Sequence, residues 1–95
     1  MGKTLYDSLP HQPGIYRFFN VSEELLYIGK SRDLRKRVAS YFQRTKDLDA
    51  AKQEMVQNIA RVETTVVEND IEALLLEAIQ IRQHQPPYNV MLKDD

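Results

Sequence analysis

Two neighbouring segments rich in β-branched and aromatic residues constrain the fold of this chain more than any other feature of its sequence. Residues 15–19 read IYRFF, residues 25–28 read LLYI, and a five-residue segment, NVSEE, lies between them. Strand-forming segments joined by a loop of this length predict an antiparallel β-hairpin. The preceding residues 9–14 contain two prolines and a glycine, which favour a turn leading into the first strand. A short helical turn is expected over residues 4–9.

The segment that follows the hairpin has the periodicity of an amphipathic helix. Ser31 is the expected N-cap, Asp33 suits the first turn, and the helix is expected to run to about Gln43. Residues spaced at i, i+4, i+7 and i+8 share one side of a helix, so they are expected to form a buried stripe. That stripe consists of Leu34, Val38, Tyr41 and Phe42.

The C-terminal half predicts two more helices and one more strand. A second helix is expected over about residues 47–60. Its inward positions are Leu48, Met55, Val56 and Ile59. Residues 61–68, RVETTVVE, are rich in β-branched residues and predict a third strand. Asn69 and Glu72 have the spacing of a capping box, which predicts the start of a third helix that runs to about Gln83.

The third helix carries apolar residues over a wide arc. Its predicted main face consists of Ile71, Leu74, Leu75, Ala78 and Ile81. Leu76 and Ile79 widen this arc, so we expect the helix to be covered on more than one side. Pro86 and Pro87 should end it, and residues 88–92 are expected to be extended.

These elements follow one another in the order β-β-α-α-β-α. A length of 95 residues favours a single domain over residues 1–95. The predicted fold class is α/β (α+β), with a small three-stranded antiparallel or mixed sheet flanked by helices. The chain ends on Lys93, Asp94 and Asp95 without a helix cap or another stop signal, which we interpret as a boundary inside a longer protein.

Composition excludes several kinds of protein. The chain contains no cysteine, which excludes disulfides, thiolate metal sites and cysteine nucleophiles and favours a cytoplasmic location. Its longest strongly apolar run, residues 73–76, is far too short to span a bilayer, so no membrane partner is expected. We expect the isolated domain to be a monomer.

Charge is distributed unevenly along a chain whose formal net charge is −1. Residues 30–44 hold six of the thirteen basic residues and a single acid, Asp33. A basic surface on a nearly neutral domain is typical of phosphate recognition. A solvated helix face explains the same pattern, and the charges alone do not decide between these interpretations.

Two triplets within the predicted hairpin strands carry a more specific signal, Gly14-Ile15-Tyr16 and Tyr27-Ile28-Gly29. Longer stretches of the chain read LPxxPGIY, YIGKSxxLxxRVxSYF, EALLLE and PxYNVxLKDD. Together these motifs resemble the GIY-YIG endonuclease family, and within it the N-terminal domain of UvrC and its short homologue Cho. The resemblance covers nearly the whole chain, from residue 9 to residue 95.

The resemblance implies a metal-dependent phosphodiesterase that makes the 3′-side single-strand incision in nucleotide excision repair. It implies damaged duplex DNA as the substrate and a UvrB-like protein as a partner of the full-length protein. It also implies one divalent cation, Mg²⁺ or Mn²⁺. Hydrolysis of a phosphodiester needs a water nucleophile, neutralisation of the phosphate charge and help for the leaving oxygen.

The resemblance assigns Glu77 to the metal and Arg37 to the scissile phosphate. Glu77 lies at the edge of the apolar arc of the third helix, where an anion needs a partner. A guanidinium suits a phosphate because two of its N–H groups can bond two oxygens. Simpler interpretations remain open, namely an ion pair between Glu77 and an arginine, and Arg37 as one cation of a basic helix. Glu72 competes for the metal, but its capping position already explains it.

The remaining residues that the resemblance places in the site are Tyr16, Tyr27, Lys30, Tyr41 and Asn89. It implies that Tyr27 is the general base, that Tyr16 orients the water and that Tyr41 binds a metal-linked water. A free tyrosine has a pKa of about 10, so Tyr27 needs a lower pKa for this role, and we expect Lys30, Arg37 and the metal to provide it. Lys30 would stabilise a tyrosinate or reach phosphate, and Asn89 would hold the site together or touch the substrate. Without the resemblance, cross-strand aromatic packing would be the preferred explanation of Tyr16 and Tyr27.

Three functions from different classes therefore remain open. They are a nuclease, a DNA-binding module with an inactive site, and an interaction domain whose basic helix is only a solvated face. The intact set of Tyr16, Tyr27, Arg37 and Glu77 argues against the second. Metal-dependent nicking of plasmid DNA distinguishes the first from the others, and salt-sensitive DNA binding distinguishes the second from the third.

Overall fold

The computed structural model describes residues 4–92, which form a three-stranded sheet packed against helices. In chain order the elements are β1 (Gly14–Phe19), β2 (Leu25–Ser31), α1 (Leu34–Gln43), α2 (Ala50–Gln57), β3 (Arg61–Val66), α3 (Asp70–His84) and α4 (Pro87–Met91). A short 3-10 helix, Thr45–Asp47, connects α1 to α2. The predicted α+β class and the order of the first six elements are confirmed. Residues 93–95, where the sequence suggested a boundary, lie outside the described residues.

The sheet has the strand order β2-β1-β3, and both pairings are antiparallel. Of the two predicted possibilities, the antiparallel sheet is therefore the observed one. Tyr16 lies opposite Gly29, and Phe18 lies opposite Tyr27. Pairing continues as far as Ser31, so β2 extends beyond its predicted end at residue 28. No helix within residues 4–92 has the length and apolar character that crossing a bilayer requires.

One face of the sheet forms the aromatic core of the domain. Side chains at alternate positions of β1 and β2 lie on this face, because successive strand residues point to opposite sides. They pack against α1 and α2 in a cluster of Leu9, Tyr16, Phe18, Leu26, Leu34, Val38, Tyr41, Met55 and Tyr88. The predicted stripe of α1 is thus confirmed, with Phe42 only partly buried at the edge of the cluster.

The N-terminus of α1 differs from the prediction, whereas that of α3 agrees with it. Asp33, not Ser31, is the N-cap of α1, and its carboxylate accepts a hydrogen bond from the Lys36 N–H at 3.0 Å. Ser31 still belongs to β2, and its hydroxyl accepts the N–H of Asp33. Helix α2 is shorter than predicted and begins after its N-cap, Asp49. Asn69 caps α3 as predicted.

Helix α3 covers the opposite face of the sheet, but it turns a different side inward from the one predicted. Arg17 of β1, whose side chain is 15% exposed, donates hydrogen bonds to Glu63, Thr65 and Gln80. Because a nearly buried guanidinium requires such partners, α3 directs polar Gln80 toward the sheet. The exposed apolar residues of α3 are Ile71, Leu74, Leu75, Ala78 and Ile79. The prediction of a helix covered on more than one side is therefore wrong for residues 4–92.

Residues 88–92 are not extended, as the sequence suggested, because most of them belong to α4. Pro87 stands at the start of this helix, where its fixed φ is suitable and no N–H bond is lost. Tyr88 is buried, and its hydroxyl donates a hydrogen bond to Glu54 of α2 at 3.0 Å. The two prolines end α3 as predicted, but they also permit a new helix to begin.

Candidate active site

The predicted site residues come from five elements and surround an aromatic cluster on the sheet. They are Tyr16 on β1, Tyr27 and Lys30 on β2, Arg37 and Tyr41 on α1, Glu77 on α3 and Asn89 on α4. The ring centroid of Tyr16 lies 6.3 Å from that of Tyr27 and 6.0 Å from that of Tyr41. The guanidinium carbon of Arg37 lies 5.4 Å from the centroid of the Tyr41 ring. Three tyrosines and an arginine distant in sequence are thus brought together.

Tyr16 lies at the bottom of this cluster. Its side chain is 1% exposed, and its hydroxyl oxygen lies 3.1 Å from that of Tyr41. Burial raises the pKa of Tyr16 well above its ordinary value, and the neighbouring hydroxyls of Tyr41 and Tyr27 raise it further. Tyr16 is therefore a neutral hydrogen-bonding group within the protein. That Tyr16 orients the attacking water stays a prediction.

With the protein groups alone, the pKa of Tyr27 is raised, so Arg37 by itself does not produce the predicted lowering. Burial raises the pKa of this hydroxyl, and interactions with Tyr41 and Glu77 raise it further, while the charge of Arg37 offsets only part of the rise. The sequence identified the cation correctly, but it did not show how far the aromatic neighbours remove Tyr27 from water. With the protein groups alone, Tyr27 stays protonated at neutral pH.

Gly29 gives the Tyr16 ring the space that it occupies. The two residues lie opposite each other on β2 and β1, and a Cβ added at Gly29 would overlap the Tyr16 ring, approaching its Cε1 atom at 2.8 Å. Gly29 lies inside β2, which continues to Ser31. The Tyr16 ring can therefore occupy this position only because residue 29 has no side chain.

Gly29→Ala is expected to lower the free energy of unfolding by about 1–3 kcal/mol, the usual range for overpacking a core. The backbone at Gly29 is not left-handed, so alanine is tolerated there except for its contact with Tyr16. Combining Gly29→Ala with Tyr16→Leu should therefore recover part of the loss. Chemical denaturation of the two single variants and the double variant measures this coupling. Simple additivity would show that the two side chains do not compete for space.

Glu77 is a carboxylate without a hydrogen-bond or ion-pair partner among residues 4–92. It lies half-buried on α3. Burial raises its pKa, and the positive charge of Lys30 offsets part of that rise. The same carboxylate raises the pKa of Tyr27, so the two groups are electrostatic neighbours. The ion pair with an arginine, which the sequence left open, does not form within the described residues.

These surroundings fit a hard divalent cation. A half-buried anion without partners is unfavourable, and a bound cation would relieve that cost. No cluster of three or more histidine, aspartate or glutamate side chains occurs within the described part of the chain. A cation at Glu77 would therefore take most of its ligands from water or substrate, as Mg²⁺ commonly does.

Asn89 forms hydrogen bonds with the backbone of β2, which is an edge strand of the sheet. Its side-chain carbonyl accepts the N–H of Ile28 at 2.8 Å, and its amide donates to the Ile28 carbonyl at 2.9 Å. Both halves of the amide thus pair with β2 as a neighbouring strand would. Ile28 follows Tyr27 directly, so Asn89 holds the strand that carries this tyrosine.

Two positioning contacts were not predicted. Arg17 ties β1 to α3 through Gln80, three residues beyond Glu77 on the same helix. The signal was visible as an arginine inside the otherwise apolar segment IYRFF. Tyr88 anchors α4 through Glu54, and no pattern in the sequence indicated that pair.

Comparison with known proteins gives a consistent result. A family model of the UvrC-like GIY-YIG domain matches residues 12–90. UvrABC system protein C from Cytophaga hutchinsonii is 47% identical over 93 residues, which are 98% of this chain and 16% of that protein. The homologue from Methylobacillus flagellatus is 51% identical over 94 residues, covering 98% of this chain and 15% of its own length. The chain thus spans about a sixth of the length of these curated relatives.

A solved structure is similar over almost the whole chain. It is the GIY-YIG N-terminal endonuclease domain of UvrC from Thermotoga maritima, bound to its catalytic divalent cation, magnesium. The similarity has a TM-score of 0.76 at 33% identity and covers 88% of this chain and 90% of that one. Variants of that domain with a tyrosine changed to phenylalanine match with a TM-score of 0.76 at 32% identity, and they also bind the catalytic cation.

Proposed function

This chain belongs to the UvrC-like GIY-YIG domain family, and on that basis we propose that it is an endonuclease domain that hydrolyses a phosphodiester bond of DNA with one divalent cation. The observation that carries the proposal is the half-buried carboxylate of Glu77. It has no hydrogen-bond or ion-pair partner within residues 4–92, and it interacts electrostatically with Tyr27 and Lys30. A bound cation would stabilise a carboxylate in these surroundings, which no side chain of the described residues pairs with.

Glu77 is the proposed protein ligand of the cation, and Arg37 and Lys30 are the proposed phosphate-binding cations. When bound, Mg²⁺ or Mn²⁺ supplies positive charge that stabilises the charge developing on the phosphate. Arg37 presents a planar, permanently charged guanidinium, which suits two phosphate oxygens at once. Lys30 is exposed and lies near Glu77, so it can reach a phosphate bound beside the carboxylate.

The tyrosines are proposed to handle the proton of the attacking water. Tyr27 is the candidate base because it interacts with both Glu77 and Arg37. Because its pKa is raised, Tyr27 is protonated with the protein groups alone, so it can accept the proton of water only after it has lost its own proton to solvent, which requires positive charge beyond that of Arg37. Tyr16 and Tyr41 share a hydrogen bond at 3.1 Å, and we assign them the positioning of the Tyr27 hydroxyl. Asn89 is proposed to hold the backbone at Ile28 in place.

Tyr27→Phe is expected to slow cutting by about 10²-fold, at the lower end of the range for loss of a general base. The lower end applies because Tyr41, a hydrogen-bonding neighbour of Tyr27, keeps its hydroxyl. The change should leave cation binding intact, since tyrosine-to-phenylalanine variants of the Thermotoga maritima domain keep their cation. Single-turnover nicking and a metal titration measure the two effects. Unchanged cutting would remove Tyr27 from the proton-transfer role.

The function of the whole protein is proposed from its relatives. The curated relatives are named as components of the UvrABC system, which supports damaged duplex DNA as substrate and a UvrB-like protein as partner. The proposed reaction is the 3′-side incision of nucleotide excision repair. A DNA substrate and a chain without cysteine support a cytoplasmic location.

Conversion of supercoiled plasmid to the nicked circle tests the proposed activity. We expect nicking with Mg²⁺ or Mn²⁺ and none with a chelator. The assay should use this chain alone and also in place of the corresponding domain of a UvrC relative, because the relatives are much longer. Salt-sensitive DNA binding without nicking in either setting would indicate a DNA-binding module instead. Absence of both binding and nicking would indicate an interaction domain.

A further inference from the structure

The basic segment of residues 30–44 contains two groups of cations with different surroundings. Arg35 donates a hydrogen bond to the Leu9 carbonyl at 2.6 Å, and Arg44 pairs with Asp47 at 3.0 Å. Arg35 is thus used within the protein, whereas the Arg44–Asp47 pair lies largely in solvent, away from a cleft beside Arg37. The remaining cations of the segment lie toward the site or toward solvent beside it.

A cleft of about 320 Å³ opens next to the phosphate-binding arginine. It is lined by Ser31, Arg32, Asp33, Lys36, Arg37 and Ser40. The wall shared with the site is Arg37, so a DNA strand that reaches Arg37 has this cleft directly beside it. Each of the six lining residues carries a polar or charged group, although carbon atoms of their side chains form much of the cleft surface.

The cleft carries an excess of positive charge that the protein does not neutralise. Lys36 forms no salt bridge with any residue in the described part of the chain. Arg32 pairs with Asp70, but their side chains are 87% and 55% exposed, so this pair is easily exchanged for another anion. The carboxylate of Asp33 is already bonded to the Lys36 N–H and to His11. Its negative charge therefore offsets only part of the positive charge of the cleft.

We propose that this cleft binds a backbone phosphate adjoining the scissile one on the strand that is cut, with Lys36 and Arg32 as its ligands. The proposal rests on the proposed function, because it takes Arg37 as the contact to the scissile phosphate. Contacts of this kind fix the register of a strand without reading its bases. The cleft thus aligns the cut strand across the site independently of sequence.

The salt dependence of DNA binding tests the cleft without requiring any cutting. Lys36→Gln and Arg32→Gln should each reduce the slope of log affinity against log salt concentration by about 0.9 on duplex DNA. Arg44→Gln is the matched control, because it removes the same charge from the basic segment but lies at the C-cap of α1, outside the cleft. Its slope should equal that of the unmodified protein. Equal slopes for all three variants would overturn the proposal.

A substrate with one neutral phosphate locates the contact. A methylphosphonate beside the scissile phosphate should raise the KM of the unmodified protein, and it should add little to the loss already present in Lys36→Gln. If the two losses simply add, Lys36 does not touch that phosphate and the proposal fails. If no variant cuts any substrate, the proposed nuclease function fails, while the salt slopes still decide whether the cleft binds DNA.

Discussion

Glu77→Gln is expected to abolish cutting while the fold remains intact. Among residues 4–92, Glu77 has no hydrogen-bond or ion-pair partner, so glutamine of the same shape breaks no described contact. The loss should exceed about 10³-fold in rate, because removal of a protein ligand to the cation takes away both charge stabilisation and orientation of the substrate. Nicking at saturating Mg²⁺, with parallel thermal melting, measures both parts of the expectation.

The stability of Glu77→Gln should depend on pH in a specific direction. Burial raises the pKa of Glu77, so its ionised form is less favourable in the folded protein than in the unfolded chain. This penalty is absent below the pKa of the unfolded chain and develops as the pH rises through the folded pKa. The glutamine variant should therefore be at least as stable as the unmodified protein at neutral pH, and the two should converge in acid.

Glu72→Gln is the matched control for this variant. It makes the same charge change on the same helix, and glutamine can still accept the hydrogen bond that Glu72 takes from the Glu68 N–H. Cutting by Glu72→Gln should resemble that of the unmodified protein. If Glu72→Gln lost cutting and Glu77→Gln kept it, the metal ligand would be assigned to the wrong acid.

Arg37→Ala is expected to slow cutting by about 10²–10³-fold, the usual effect of removing one preorganised donor. Arg37 flanks the buried stripe of α1 rather than belonging to it, so its truncation opens no core cavity. It loses a contact over the Tyr41 ring, which is worth about 0.5–1 kcal/mol at an exposed site. The effect on stability should therefore be small compared with the effect on rate.

Two companion variants separate charge from geometry at this position. Arg37→Lys keeps the charge but loses the planar pair of donors, so it should recover only part of the rate. Arg44→Ala removes a cation from the end of the same helix and should cut normally. Equal rates for Arg37→Ala and Arg44→Ala would mean that Arg37 contributes only general positive charge.

The sequence predicted the parts of the fold that depend on local patterns. The hairpin followed from strand composition around a short loop, and Asn69 was identified as a cap because its spacing to Glu72 is a local signal. The same holds for the stripe from Leu34 to Tyr41, whose burial follows from helical periodicity. The motifs then indicated a family, and the structure brings their distant residues to one place.

The features that the sequence did not predict depend on contacts between distant segments. Helix α3 turns Gln80 inward because Arg17, far away in the chain, needs a partner beneath it. The pKa of Tyr27 rises because aromatic side chains from other elements exclude water from its hydroxyl. Neither effect leaves a periodic signal in the sequence. The arginine in the apolar segment of β1, Arg17, was the one residue that could have indicated the orientation of α3.

Anomalous scattering from crystals soaked in Mn²⁺ tests the central claim most directly, namely that a single cation is held at Glu77. We predict one peak at coordination distance from the Glu77 carboxylate, with water completing the coordination and with no second protein carboxylate bound. The peak should disappear in Glu77→Gln and persist in Tyr27→Phe. A peak held elsewhere by two or more carboxylates, with none at Glu77, would contradict the account.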